Sequence, residues 1–237
     1  LSYMAPCGTD LEKKAESQFP VIFLNESGHI RIGEIWRVLR ALHTLKPDIV
    51  HAHMGGAGFG AIWAILSRKR FVVTVHTKPE KAFSSKIEKL LRIALRTGRT
   101  TLVAVSEENQ KLMDAYFGIT GKQTACVNNG IDLSRFYRKE HENFTLINVA
   151  CHDENKNPAA LIRCFARLHA ECPNTRLLLL GDGPTHAQLI KQVDDVQLSE
   201  SVELTGNVPN TEDYYAISDL YVQTSHREAM PMSVLEA

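Results

Sequence analysis

An α/β fold of two parallel-sheet domains is what this 237-residue chain predicts, and three observations predict it. Short apolar, β-branched runs recur along the chain, helical periodicities separate them, and one polar, turn-rich stretch divides the sequence in two. The runs fall at 21–24, 48–52, 71–75, 101–105, 123–127, 144–150, 176–180, 202–204 and 220–223. They are mostly continuous rather than alternating, the pattern of strands covered on both faces of a parallel sheet. Between them, Ile35, Leu39, Leu42 and Leu45 recur with helical period, as do Leu161, Phe165 and Leu168, so each set predicts a helix that lays one face on a sheet. The dividing stretch begins with the turn N-N-G-I-D at 128–132 and continues as the irregular R-F-Y-R-K-E-H-E-N at 135–143, which places a domain boundary near residue 140. Two doubly wound, Rossmann-like domains, 1–140 and 141–237, would then direct the carboxyl ends of both sheets to an interdomain cleft, where open α/β sheets bind ligands.

Composition narrows the class further. With 44% hydrophobic and 23% charged residues, 14 Gly and 9 Pro, the chain is neither disordered nor collagenous. No apolar run nears the roughly 18 residues of a membrane span, and Leu1 opens neither a signal nor a transit peptide, so a cytoplasmic location is expected. The five cysteines, Cys7, Cys126, Cys151, Cys164 and Cys172, show no close metal-type pairing, which predicts free thiols and no structural zinc. Residues 1–133 hold 18 Lys and Arg against 12 Asp and Glu, and residues 134–237 hold 9 against 15, so a net charge of zero conceals a basic half and an acidic half. The bias peaks between Arg68 and Arg99, with ten basic residues against Glu80 and Glu88. Within it, 84–97 predicts a helix with Ile87, Leu90, Leu91 and Ala94 on one face and Lys86, Lys89 and Arg96 turned away. A solvated face is the plain reading; peripheral contact with an anionic membrane surface is the functional one, at about 1 kcal/mol per cation near the surface. Nucleic acid is disfavoured because no aromatic residues interleave with the charges.

The strongest local signal is S-H-R-E-A-M-P-M-S-V-L-E-A at 225–237, which places Glu228 and Glu236 eight apart across a loop that becomes a helix near Pro231. Proline suits a first helical turn. Unpaired amides over 229–232, backed by a helix dipole, form an anion site, and a carboxylate on each side can accept sugar hydroxyls. A diphosphate flanked by polyols describes a nucleotide sugar. Taken alone, the pair is equally a cap and a surface residue. The G-D-G-P turn at 181–184 follows four leucines and reads as a structural turn into a helix. No G-x-G-x-x-G opens an early helix, which disfavours a nicotinamide enzyme.

Other phrases stand in order around that signal: K-P-D-I-V-H-A-H (46–53), V-V-T-V-H-T (72–77), V-A-V-S-E (103–107), V-N-N-G-I-D (127–132), E-N-K-N (154–157), L-L-G-D-G-P (179–184) and L-T-G-N-V (204–208). Together they resemble the retaining glycosyltransferases of family 4, and the match covers most of the chain. The resemblance implies a GT-B fold, a pair of Rossmann-like domains facing a cleft. It also implies a nucleotide-sugar donor, UDP- ahead of GDP-, a glycan or lipid-linked acceptor in bacterial surface polysaccharide synthesis, and no cofactor or essential metal.

Residue by residue, the resemblance implies catalytic roles for His53, Lys156 and Glu228. His53 reaches toward the donor sugar, Lys156 neutralises the departing diphosphate, and Glu228 contacts the sugar. Glu236 inherits the ribose hydroxyls. The phosphate donors are the amides of Ala229, Met230 and Met232, since Pro231 has none; glycine is the family's usual residue at 229. Asn207 and Val208 read the base through main-chain atoms. His76 and Thr77 face the acceptor side or pack, and His51, on the same face as His53, is expected to lie deeper as a structural residue. Of Gly55, Gly56, Gly58 and Gly60, at least one is expected to permit close helix packing. Where the family has an arginine, five residues before the lysine, stands Cys151, which carries no positive charge; the neighbouring His152 would compensate if protonated. Because 1 opens within a strand and 237 closes an incipient helix, the sequence reads as a fragment lacking both ends, with a Gly-rich loop expected before Leu1 and crossing helices after Ala237. Two rivals remain: a nucleotide-sugar 2-epimerase of like architecture, and a noncatalytic binding fragment.

Overall fold

The computed structural model describes residues 2–3, 22–23 and 32–237, which form two compact units, 1–128 and 129–237. Cys7 lies outside the described residues.

In the N-terminal unit, β1 (Ser2–Tyr3) pairs in parallel with β2 (Ile22–Phe23). A second, four-stranded parallel sheet runs in the order β3 (Ile49–His53), β4 (Arg70–Val75), β5 (Thr100–Ala104), β6 (Thr124–Cys126). Parallel neighbours cannot be joined by a hairpin, so helices return the chain: α1 (Ile32–Leu45) before β3, α2 (Ala57–Ser67), then α3 (Pro79–Ala82) and α4 (Ser85–Arg96), and α5 (Glu107–Phe117). The predicted apolar face of α4 is the one buried: Leu91 and Ala94 are fully enclosed with Phe71, Val73, Val75, Leu102 and Met113, while Lys86, Lys89 and Arg96 are exposed. Helix α5 is capped at both ends. Ser106 Oγ accepts from the Asn109 amide at 3.2 Å, and Gly118 takes the left-handed conformation, φ 65°, that a side chain disfavours.

The C-terminal unit has the strand order β10 (Leu220–Tyr221), β7 (Phe144–Val149), β8 (Thr175–Leu180), β9 (Val202–Gly206), all parallel. Alternate residues serve opposite faces. Leu146, Leu177 and Leu179 pack under α6 (Pro158–Glu171) and α7 (His186–Asp195) through Leu161, Ile162, Phe165, Leu189 and Val193. Ile147, Leu178 and Leu180 meet Tyr214 and Tyr215 of α8 (Thr211–Ala216). That covering of both faces is why the strands read as unbroken apolar runs. The last helix, α9, spans Met232–Glu236.

The segment 129–140, assigned by sequence to the first domain, belongs instead to the second. Lys139 N donates to Ala216 O at 2.8 Å, Arg135 Nη2 donates to both Glu212 oxygens at 3.0 Å, and Tyr137 donates to Asp213. Asp219 gathers three more groups: the Thr145 amide at 2.9 Å, His141 Nε2 at 2.8 Å and Arg138 Nη2 at 3.2 Å. The Thr145 amide bond, then that of His141, holds the Asp219 carboxyl below its ordinary value. The stretch is polar because it is a strap over an acidic surface, and a strap without apolar periodicity resembles a linker.

Of the glycines after His53, Gly60 is pressed on the core. A β-carbon there would sit 2.0 Å from Phe71 Cε2, inside a ring that is fully buried. Gly60→Ala would gain up to about 1 kcal/mol of helix propensity, but overpacking costs about 1–3 kcal/mol or more, so the clash prevails. Urea unfolding should show a midpoint lowered by a net loss of about 1–2 kcal/mol; an unchanged or raised midpoint would contradict the packing described.

Candidate functional site

In the C-terminal unit the loop after β7 is folded by its own side chains. Asp153 Oδ1 accepts from the Lys156 amide at 2.8 Å and its carbonyl accepts from the Asn157 amide at 3.0 Å. Asn157 takes a left-handed conformation, φ 51°, which asparagine tolerates, and Pro158 opens α6. The strand β10 leads into a second loop that latches onto the first. Thr224 Oγ1 lies 3.0 and 2.9 Å from the carbonyls of Lys156 and Asn157, His226 N donates to Asn155 O at 2.8 Å, and Asn155 Nδ2 donates to Arg227 O at 3.1 Å. The latch brings together two residues 72 apart in sequence: Lys156 Nζ lies 2.6 Å from Glu228 Oε1, with both side chains about three-quarters buried, at 27% and 23% exposure. Asn155 stood in the sequence only as part of E-N-K-N, with no role assigned, and Thr224 gave no sign; both work through main-chain partners.

Beyond Glu228, the amides of Ala229 and Met230 donate to no acceptor among the described residues, while the Met230 carbonyl accepts from Asn129 Nδ2 at 2.9 Å. Pro231 precedes α9 as its cap, in an extended conformation, rather than occupying the first turn as expected. Tyr215 OH lies 2.9 Å from Ser233 O and 3.4 Å from Glu236 Oε2, and Tyr221 OH lies 2.7 Å from Ser233 Oγ. Burial, then the Glu236 charge, raises the Tyr215 hydroxyl far above its ordinary value, so it stays protonated. Past the end of β9, Asn207 is exposed and Val208 packs on the Ile147 face.

Two expectations are corrected here. His152 cannot stand in for a missing cation: it is fully buried, stacked on His186 with Nδ1 atoms 2.8 Å apart, and burial, then His186, depresses its pKa. Its own main chain ties the β7 loop to the β8 loop, with His152 N donating to Asp182 O and Thr185 N to His152 O, both at 3.0 Å. Cys151 is exposed, and burial of its thiol together with Asp153 raises its pKa, so it is uncharged. His51 is exposed rather than deep: it shares an exposed face of β3 with His53, while the intervening Ala52 faces the core.

In the N-terminal unit, three imidazoles meet at the carboxyl ends of β3 and β4. His53 Nδ1 lies 2.9 Å from His76 Nε2, the His51 and His53 rings are 4.5 Å apart, and His51 Nε2 bonds Thr74 Oγ1 at 2.8 Å. Burial, then the neighbouring His53, lowers the pKa of both His51 and His76, and a ring-to-ring bond needs one donor and one acceptor. Thr77 is used in its turn: Oγ1 donates to Lys78 O at 3.1 Å and its carbonyl accepts from Asn109 Nδ2 at 3.2 Å. Among the described residues no three His, Cys, Asp or Glu side chains are grouped to hold a metal ion.

A family model described as Glycosyltransferase Family 4 matches residues 4–135, and one described as Glycosyl transferases group 1 matches 131–237. The chain belongs to glycosyltransferase family 4. It is 24% identical over 226 residues to an uncharacterized glycosyltransferase of Methanocaldococcus jannaschii, and 25% identical over 238 residues to the alpha-monoglucosyldiacylglycerol synthase of Acholeplasma laidlawii. Those alignments cover 85% of this chain but 56% and 58% of the relatives, so the chain spans little more than half their length. The fold matches that of HepE from Anabaena, solved with UDP and glucose, at a TM-score of 0.78 and 21% identity, covering 100% of this chain and 69% of HepE. TarM of Staphylococcus aureus, solved with UDP among its ligands, is similar at a TM-score of 0.68 and 15% identity over 86% of this chain and 42% of TarM. Both units are therefore the Rossmann-like parts of a GT-B glycosyltransferase fold.

For this family member, the buried His152 makes acid sensitivity predictable. Its folded-state pKa lies below its unfolded value near 6.5, so the stability involved is present above that value and lost as pH falls through the folded one. His152→Leu should shrink the drop in Tm between pH 7.5 and 5.5; an unchanged drop would mean that this ring does not titrate on unfolding.

Proposed function

We propose that this chain is the donor- and acceptor-binding portion of a retaining glycosyltransferase that moves a sugar from a UDP-sugar, ahead of a GDP-sugar, to a glycan or lipid-linked acceptor. The observation that carries this reading is the Lys156–Glu228 contact at 2.6 Å beside two unengaged amides, those of Ala229 and Met230. A cation, two amide donors without partners and a carboxylate on each side in sequence form a complement to a diphosphate flanked by sugar hydroxyls. The relatives support the chemistry: HepE binds UDP and glucose, and the Acholeplasma protein is named for a glucosyl lipid. A Campylobacter jejuni relative is named for an undecaprenol-linked acceptor, which fits a role in surface polysaccharide synthesis.

In this reading the ion pair is the resting state of the site. An arriving donor offers phosphate oxygens to Lys156 and hydroxyls to Glu228, so each partner exchanges the other for substrate without leaving a charge unpaired. Lys156 and the amides then meet the negative charge that grows on the diphosphate as the sugar departs, where a preorganised charge does most good. The acceptor proton passes to a donor phosphate oxygen on the same face, and no side chain is asked to act as nucleophile. Glu236 holds the ribose and the main chain at Asn207 and Val208 reads the base, while His53 keeps the donor-sugar role and His76 and Thr77 the acceptor-side role that the family resemblance implies. No cofactor or metal enters these steps.

A cytoplasmic enzyme touching an anionic membrane is proposed on the charge of the N-terminal unit. At the amino ends of β3, β4 and β5 lies an open basin of about 810 Å³ lined by Arg68, Lys69, Arg70 and Arg99, with Asp48 paired to Lys69 at 3.2 Å. No described helix is long and apolar enough to cross a membrane.

Calorimetric titration with UDP and GDP tests the donor assignment. One nucleotide should bind, and Glu236→Ala should weaken it about tenfold, a loss of about 1.4 kcal/mol; binding that ignores the substitution would remove the ribose assignment. The uncharged Cys151 favours a second reading, in which the site binds donor without efficient transfer. Cys151→Arg, assayed for transfer with and without acceptor, separates the two. An unchanged rate supports a complete site as it stands, a gain of tenfold or more supports the binding-only reading, and isomerised donor without acceptor would mark an epimerase instead.

A further inference from the structure

We propose that Tyr215 and Tyr221 are positioning residues for nucleotide recognition: through its carbonyl and its hydroxyl they fix Ser233 in α9, and thereby set the Glu236 carboxylate for the two ribose hydroxyls. This rests on the donor reading above. The three residues come from different elements, α8, β10 and α9, and meet at one residue: Tyr215 OH is 2.9 Å from the Ser233 main-chain carbonyl and Tyr221 OH is 2.7 Å from the Ser233 side-chain hydroxyl. Helix α9 has five residues and none of them is fully buried, so it is too short to stand alone and these two hydrogen bonds tether it to the sheet side of the unit. The tyrosines themselves are firmly seated. Both pack on the Ile147, Leu178 and Leu180 face of the sheet, Tyr215 also meets Phe136 edge-on at 5.8 Å, and their rings lie 6.3 Å apart.

The geometry also says what Tyr215 leaves undone. A phenol has one proton, and the shorter contact, to the Ser233 carbonyl, takes it; Glu236 Oε2, at 3.4 Å, is at the margin of a hydrogen bond. The carboxylate is thus held near a fixed point but keeps its lone pairs for other donors. A vicinal diol supplies two such donors at a spacing matched to a carboxylate, so small displacements of Glu236 cost both bonds at once. Ordinary structural support would affect every ligand of the unit equally, whereas positioning of Glu236 affects only ligands that carry those hydroxyls.

The test measures the affinity of the whole chain for UDP and for 2′,3′-dideoxy-UDP, which lacks the diol. Wild type should prefer UDP, and Glu236→Ala should erase the preference; if it does not, the donor reading fails and the inference with it. Given that control, Tyr215→Phe and, as an independent variant, Tyr221→Phe should each weaken UDP about five- to tenfold and dideoxy-UDP less than twofold. The double variant Tyr215→Phe/Glu236→Ala should bind UDP no more weakly than Glu236→Ala alone. Equal losses on both ligands, additive losses in the double variant, or no loss from either tyrosine would overturn the proposal while leaving the donor reading intact.

Discussion

Parallel strand pairing is the constraint on which everything else in this chain depends. In the C-terminal unit, β7, β8, β9 and β10 all run the same way, so each must be followed by a loop at the same edge of the sheet. Lys156, the Gly181–Gly183 turn, Asn207 and Glu228 lie on those four loops, although they span more than seventy residues of sequence. The same rule in the N-terminal unit brings His53 and His76 within 2.9 Å, because β3 and β4 are adjacent and in register, His53 against Thr74. Hydrophobic burial decides that the sheets form; strand direction decides where the chemistry can be.

Much of the architecture was legible because apolar periodicity is a local property. Each predicted run with described residues contains a strand, and α4 buries the face its spacing marks. The boundary near 140 was misjudged for a physical reason. Arg135, Arg138 and His141 are tied to Glu212 and Asp219, acids some eighty residues downstream, and a segment held by charge rather than by burial has no period to read. The acidic character of the second half was visible in the composition, but which basic segment it would capture was not.

Legibility within the site followed the same division. Glu228, Glu236 and Lys156 stood out through order and spacing, while the 2.6 Å contact between two of them depends on Thr224 and on Asn155, whose carbonyl partners across the two loops no local pattern announces. His152 shows the opposite failure. Beside Cys151 it looked like a reserve of positive charge, yet it is enclosed with His186, and burial of an imidazole disfavours the charge it was expected to supply. Whether a histidine is wet or dry is decided by neighbours distant in sequence; here they are the β8 loop and the start of α7.

The closeness of those two loops is fixed by missing side chains. A β-carbon at Gly181 would lie 1.9 Å from the Ala150 carbonyl oxygen, and one at Gly183 would lie 2.5 Å from that of His152. The two glycines therefore act as spacers of zero thickness between the turn at 181–184 and the stretch that leads to Lys156. A single methyl at either one would push the lysine's loop outward without touching any group that meets substrate. Side chains elsewhere on these loops can change without moving the loops apart, whereas at these two positions any substitution acts on the spacing itself.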